Sequence, residues 1–406
     1  MNLLYNLGIQ IFVLIVRIAS LRNPKAKKWL RGRKGLLKII QKDVAGIDNL
    51  VWVHCASLGE FEQGRPLIEE IKLMYPEKKI LLTFYSPSGY DVQNGYAKAD
   101  FVYYMPVDSL RNAKRFLKYT RPQLVFFIKY EYWFNYLNQL KKNGIPVYFV
   151  SAIFRKQQLF FRRDGWYRKV LNLPTHFFIQ NQESADLLDS IHRNNYTITG
   201  DTRFDRVAHI LENINPIPVV EAFVADRDVI VAGSTWKAEE AILNQYLRNR
   251  PLLKVIVVPH VVEETTIQRM LTSFGEKAIL YSQASPKNVA EKQVLIVDCY
   301  GMLTKLYQYG KIAFVGGGFG VGIHNVLEPA AFGMPILFGP NYEKFKEAVE
   351  LVEQNCAFAV NNIEDFNTIV NHLLKDNKVV VNIGARSAEY VRKNVGATRK
   401  ILDQVF

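Results

Sequence analysis

Cysteine is scarce in this 406-residue chain: Cys55, Cys299 and Cys356 are far apart and form no C-x-x-C pair. That spacing argues against a disulfide framework and a zinc ribbon, and it fits a reducing cytoplasm. Histidine is also sparse, and neither H-x-x-x-H nor H-E-x-x-H spacing occurs, so no metal centre is indicated. No G-x-x-x-x-G-K-[ST] loop is present. In the glycine-rich tract near residue 316, the third glycine of G-x-G-x-x-G falls on another residue in either register. P-loop nucleotidase and dinucleotide oxidoreductase readings lose their support accordingly. Internal repeats and low-complexity tracts are absent too. The string Asp226-Arg227-Asp228 has the D-x-D form by which some glycosyltransferases hold metal. It stands just before an expected strand, at the outer start of a domain, and reads as a solvated turn.

What is present describes a folded protein of two domains. Hydrophobic residues make up 49% of the chain and aromatic ones 13%, too much for disorder. The length exceeds one ordinary core. A net charge of +14 points to an anionic partner: nucleic acid, an anionic lipid surface or a phosphorylated substrate. Residues 3–21 are mostly apolar, interrupted by Asn6, Gln10 and Arg17. Arg22, Lys25, Lys27, Lys28, Arg31, Arg33, Lys34 and Lys38 follow, and no acidic residue precedes Asp43. A signal peptide has the reverse order. A membrane span needs about 20 apolar residues, and Arg17 makes this a marginal one. The segment reads as a helix lying in the membrane interface, or as a weak single span with its basic flank on the cytoplasmic side. Cations near anionic lipid contribute roughly 1 kcal/mol each. The plainer reading is an amphipathic helix packed on the first domain.

Beyond this segment, short apolar runs alternate with amphipathic stretches. Strands are expected at 50–54, 79–84, 101–104, 124–128, 147–151, 176–179 and 196–199. A second series is expected at 229–232, 254–258, 278–281, 294–297, 312–315 and 336–338. Helices are expected between them, for example at 64–74, 109–119 and 133–143. The rhythm predicts an α/β fold with parallel sheets covered on both faces. Pro216 and Pro218 mark 213–221 as the linker. The expected organisation is a membrane-associated segment at 1–40, a first Rossmann-like domain at 41–212, a second at 213–384, and a helix at 385–406 that returns to the first, with a cleft between the domains.

Two segments carry the chemistry. The tract GGGFGVGIHNVLEPAAFGMPILFGP, residues 316–340, follows a strand. Its glycines allow close backbone approach and free amides to face a phosphate. A helix expected near Asn325 would place positive partial charge at an anion, with Glu328 in its first turn able to accept from ribose hydroxyls. Tight strand–helix packing alone is the plainer reading. The second segment, HCASLGEFEQGRPLI at 54–68, sets Ser57-Leu58-Gly59-Glu60 where a strand becomes a helix, the ligand-facing edge of a parallel sheet. Glu60 there is either a capping carboxylate or a general base for an attacking hydroxyl.

Over nearly its whole length the chain resembles the 3-deoxy-D-manno-octulosonic acid (Kdo) transferases of lipopolysaccharide synthesis. The matching residues are Ser57, Gly59 and Glu60; Thr83, Pro87 and Gly89; Tyr104, Pro106 and Asp108; and Glu131, Trp133 and Asn135. Ala-Gly-Ser-Thr at 232–235, Val297 and Asp298, the His-Asn-x-Leu-Glu-Pro-Ala run at 324–330 and Phe-Gly-Pro at 338–340 complete the set. The resemblance implies the GT-B architecture, two Rossmann-like domains facing each other across a cleft. It further implies inverting transfer of Kdo from CMP-Kdo to a hydroxyl of the lipid A precursor. By resemblance Glu60 is the base. Ser234, Thr235, His260, Gly317, Gly318, His324, Asn325 and Glu328 line the donor site; Ser57, Gly59, Glu131, Arg162 and Arg163 stand on the acceptor side. The chain departs from the family pattern at Lys129, where a second acidic residue is usual. It departs again at Pro259-His260-Val261, where Pro-Arg-His is usual, so His260 is either a weaker, pH-dependent phosphate contact or a strand cap.

The aromatic and basic stretch 154–169, with Arg155, Lys156, Arg162, Arg163, Trp166 and Arg168, suits stacked nucleic-acid bases, the phosphates and acyl chains of a lipid, or a plain amphipathic helix. The amino-terminal segment favours the lipid. The expected partners are therefore CMP-Kdo, the lipid A precursor and the inner-membrane surface, without nucleic acid, metal or other cofactor. The expected location is the cytoplasmic side of the inner membrane. A GT-B transferase using a UDP-sugar and a lipid-linked acceptor, and a non-catalytic basic membrane-binding protein, are the competing readings.

Overall fold

The computed structural model describes residues 2–162, 165–212 and 214–406. The chain forms two compact units, Met1–Arg206 with Val395–Phe406, and Val207–Asn394. The first holds a parallel sheet of β1 (Leu50–Cys55), β2 (Lys79–Phe84), β3 (Phe101–Tyr104), β4 (Leu124–Ile128), β5 (Val147–Ala152), β6 (His176–Ile179) and β7 (Tyr196–Ile198). Their order is β3-β2-β1-β4-β5-β6-β7, so the direction of winding reverses between β1 and β4. The strands are continuous apolar runs because helices cover both faces. Along β1 the side chains alternate between the two cores. Trp52 packs on Phe116, Phe127 and Tyr136, with ring centres 4.8, 5.3 and 5.6 Å away. Val51 and Val53 face the opposite core with Phe61, Leu67, Ile401 and Leu402.

The second unit holds β8 (Val229–Thr235), β9 (Lys254–Pro259), β10 (Ala278–Leu280), β11 (Val294–Ile296), β12 (Ile312–Val315), β13 (Ile336–Phe338) and β14 (Ala357–Ala359). This sheet is also parallel, in the order β10-β11-β9-β8-β12-β13-β14, and its winding reverses between β8 and β12. In doubly wound sheets the crevice beyond the carboxyl ends of the strands at that reversal is where ligands bind.

Three boundaries differ from the sequence expectation. The amino-terminal segment is three helices, Asn2–Ala19, Pro24–Arg31 and Leu36–Val44. A division after residue 40 would cut the third, whose Leu36, Ile40 and Val44 are core residues. The stretch 213–221, whose Asn213 lies outside the described residues, does not mark the change of unit. Pro218 opens a helix, Pro218–Val224, that buries Val220 and Phe223 in the second unit. The change falls instead after Arg206, inside the helix Arg203–Leu211. Finally, 385–406 is not one helix. Asn377–Lys393 ends in the second unit, Gly396 turns the chain at φ 110°, and Ala397–Val405 packs in the first unit.

Candidate active site

At the carboxyl end of β1, Ser57 is extended and the helix Leu58–Met74 begins directly after it. Gly59 and Glu60 therefore lie within the first turn. Ser57 makes no side-chain cap; its hydroxyl donates to the Glu60 carboxylate instead. The capping role open to Glu60 is thus not the one it plays. Across the winding reversal, Lys129, held at φ 63°, follows directly on β4, and Tyr130 and Glu131 come next. Glu131 accepts the indole N–H of Trp133 at 2.6 Å and lies 3.4 Å from Nε2 of the fully buried His54. Burial pushes the Tyr130 phenol up; Arg155 opposes this, and the Glu60 and Asp201 carboxylates add to it. Glu60, Tyr130, Arg155 and Asp201 thus share one electrostatic neighbourhood. Arg162 is exposed at the end of the helix Leu159–Arg162. Arg163 lies outside the described residues.

Sequence reasoning missed the segment behind Glu60. Asp201 accepts from Gln63 Nε2, Arg203 Nε and Arg203 N–H, each at 2.9 Å. Burial raises its pKa, but Arg203 more than offsets this and holds the carboxyl below its ordinary range. Thr202 donates to the Gln63 carbonyl at 2.6 Å. These bonds fix the helix that carries Glu60. The signal was legible as Gly200-Asp201, a turn at the end of a strand on the ligand-facing edge.

Two matched motifs serve a different purpose. Asp108 accepts from the Tyr5 hydroxyl at 2.5 Å and from the amides of Asn135 and Tyr136, each at 3.1 Å. Asn135 Nδ2 donates to Asn6 at 2.9 Å. Asp108 and Asn135 therefore tie down the helix Asn2–Ala19. Arg33 also turns inward, over the Trp29 ring at 3.9 Å, donating to the carbonyls of Met105 and Tyr85. Burial lowers its pKa to about 10, and it is lost from the row of exposed cations.

In the second unit the glycines achieve close approach. A side chain at Gly316 would overlap the backbone of Ser234, and one at Gly318 would meet Gly339 N at 2.5 Å. They do not all leave amides free. Gly316 N–H donates to Gly233 O at 2.9 Å and Gly317 N–H to Glu239 at 2.8 Å, the latter a buried carboxyl that desolvation raises. The following helix begins at Leu327 rather than Asn325 and has five residues, because Asn325 Oδ1 accepts the Leu327 amide at 3.0 Å. Glu328 lies in its first turn, accepting from Thr304 at 2.9 Å and Asn325 Nδ2 at 3.1 Å. Ser234, the last residue but one of β8, has φ 53°. Thr235 is buried and donates to Glu240 at 3.5 Å. His260 stacks between Trp236 and His324, with ring centres 4.8 and 4.2 Å away. His324 Nε2 receives the Trp236 N–H at 3.2 Å, and burial followed by His260 lowers its pKa to about 4. The imidazole is therefore neutral at neutral pH, and because Nε2 accepts, its proton stands on Nδ1. Asp226-Arg227-Asp228 sits at the opposite, amino end of β8, with Asp228 paired to Lys311 at 2.9 Å.

Solved structures share this architecture. The UDP-GlcNAc 2-epimerase from Neisseria meningitidis bound to UDP-GlcNAc superposes with TM-score 0.63, at 16% identity, over 88% of this chain and 99% of that one. The MurG of Acinetobacter baumannii gives 0.53 at 11% identity, over 88% and 98%. The two parallel sheets, each reversing its winding once, give the chain the GT-B fold, which glycosyltransferases and epimerases share. Residues 28–206 match the family described as 3-Deoxy-D-manno-octulosonic-acid transferase (kdotransferase). The 3-deoxy-D-manno-octulosonic acid transferase of Aquifex aeolicus is 28% identical over 341 residues, 81% of this chain and 87% of the relative. That of Haemophilus influenzae is 27% identical over 371 residues, 87% of this chain and 86% of the relative. The chain is similar to Kdo transferases over most of its length and is a glycosyltransferase.

Proposed function

We propose that the enzyme transfers Kdo from CMP-Kdo to a hydroxyl of the lipid A precursor with inversion at the anomeric carbon, Glu60 taking the proton from that hydroxyl. The observation that carries this reading is the placement of Glu60 at the β1–β4 reversal, with its carboxylate held by Ser57. A general base must sit where the acceptor arrives, and such a base contributes about 10²–10⁴-fold. Glu131, Gly59 and the cations Arg162 and Arg163 stand on the acceptor side. The donor lies at the β8–β12 reversal, its ribose toward Glu328 and Asn325 and its phosphate toward Ser234, Thr235, Gly317, Gly318, His260 and His324. An ester phosphate is already a good leaving group, so no metal is assigned a step.

The protein rests on the cytoplasmic face of the inner membrane. Among the described residues no helix is long and apolar enough to cross a membrane. The helix Asn2–Ala19 exposes Leu3, Leu4, Leu7, Ile11, Leu14, Ile15 and Ile18 along one side, a pattern suited to lying in the interface. Arg22, Lys25, Lys27, Arg31, Lys34 and Lys38 are exposed beyond it. Competition for the donor site tests the assignment. CMP is expected to raise the melting temperature and UDP to leave it unchanged; protection by UDP alone sinks the choice of donor.

A further inference from the structure

His54 is fully buried at the carboxyl end of β1, yet its Nε2 makes no hydrogen bond. Its other nitrogen, Nδ1, lies 2.8 Å from Thr83 Oγ1. Thr83 in turn receives the indole N–H of Trp52 at 2.7 Å. An indole nitrogen only donates, so Thr83 accepts there and has its own proton free for His54. When Thr83 donates that proton to Nδ1, the imidazole proton stands on Nε2. Nε2 faces Glu131 Oε2 at 3.4 Å, the same oxygen that accepts from Trp133.

We propose that His54 is a positioning residue, its Nε2–H aimed at Glu131 so that this carboxylate, steered also by Trp133, presents its free lone pairs to the acceptor sugar beside Glu60. This rests on the acceptor-side reading given above. β2 supplies Thr83 and β1 supplies His54, while Glu131 lies on the loop just beyond β4, so a rigid sheet aims a carboxylate that sits on a loop. A distance of 3.4 Å is long for a hydrogen bond, and such contacts tighten when a substrate loads the carboxylate.

Two measurements test it together. In kinetics, His54→Phe keeps the ring's shape and removes the donor. It is expected to lower kcat/KM for the acceptor on the order of tenfold while KM for CMP-Kdo stays unchanged. Added to Glu131→Gln, it should cost less than a further twofold, because its effect passes through Glu131. Multiplying effects, or an unaltered His54→Phe, would overturn the proposal. The second measurement needs no activity: nitrogen NMR of histidine-labelled wild type is expected to show His54 protonated at Nε2 and bare at Nδ1. Glu131→Gln should shift the Nε2 signal. A proton on Nδ1, or an Nε2 signal indifferent to Glu131, overturns the proposal even if His54→Phe does not fold. If the wild type transfers no Kdo, the functional reading fails while the NMR result still decides this one.

Discussion

At the scale of single residues, the site is built from backbone and protonation states that an isolated chain would not favour. Lys129, just beyond β4, and Ser234, the last residue but one of β8, have positive φ, each costing about 1 kcal/mol for a side-chain-bearing residue. The neighbouring strands hold them there. Asp108 shows the same kind of cost. Burial pushes its carboxyl up to about 6, although the bonds from Tyr5, Asn135 and Tyr136 pull it down. A raised pKa means that the folded protein holds the proton more tightly than the unfolded chain. The resulting stabilisation is complete below the ordinary aspartate value and is lost as pH rises through about 6. Asparagine does not titrate, so urea melts of wild type and Asp108→Asn isolate the effect. The difference in stability should move against the wild type by about 2 kcal/mol as pH rises from about 4 to about 7. A difference that stays constant over that range would refute the assignment.

Among the elements, the helix Asn2–Ala19 joins two of these themes. Its inner side is tied by Tyr5 and Asn6 to Asp108 and Asn135, and its outer side is apolar and exposed. Glutamates at Leu7, Ile11 and Leu14 should abolish sedimentation with anionic phospholipid vesicles while leaving the melting temperature nearly unchanged, since these side chains are about half exposed. Undiminished binding would count against the interfacial role. Elements of this kind explain what the sequence could reveal. Strands such as Lys79–Phe84 and Leu124–Ile128 were legible to the residue, because a buried parallel strand is an unbroken apolar run. Ala357–Ala359 was not, being only three residues long, with Phe358 between two alanines. The helix start at Leu58 was obscured by Gly59, a poor helix former, with Pro66 further inside the same helix. The glycine tract was legible as a close backbone approach. Occupation of the Gly317 amide by Glu239 was not, because it joins residues 78 positions apart. The ties from Asp108 and Asn135 to the first helix were hidden for the same reason.

For the molecule as a whole, the return of the chain to the first unit depends on Asp205. Its carboxylate accepts the amides of Gly396 at 2.5 Å and Thr398 at 2.7 Å, and the Thr398 hydroxyl at 2.7 Å. Ile401 and Leu402 then complete the core beneath the helix that bears Glu60. Asp205→Ala removes a helix-capping carboxylate, a loss of about 1–2 kcal/mol. Amide exchange should quicken in Leu58–Met74 and Ala397–Val405 and stay as in wild type across β8–β14. Uniform quickening, or none, would contradict this division of the chain. Each unit thus contributes one reversal of winding; in the proposed reaction the first offers a carboxylate to the acceptor and the second a cradle for the donor's phosphate. The most direct test of that account is mass spectrometry of the lipid products formed from the lipid A precursor with CMP-Kdo generated in place. Wild type is expected to add Kdo, and Glu60→Gln to add it at least about 100-fold more slowly. No transfer by the wild type, or transfer by Glu60→Gln at the full rate, would contradict it.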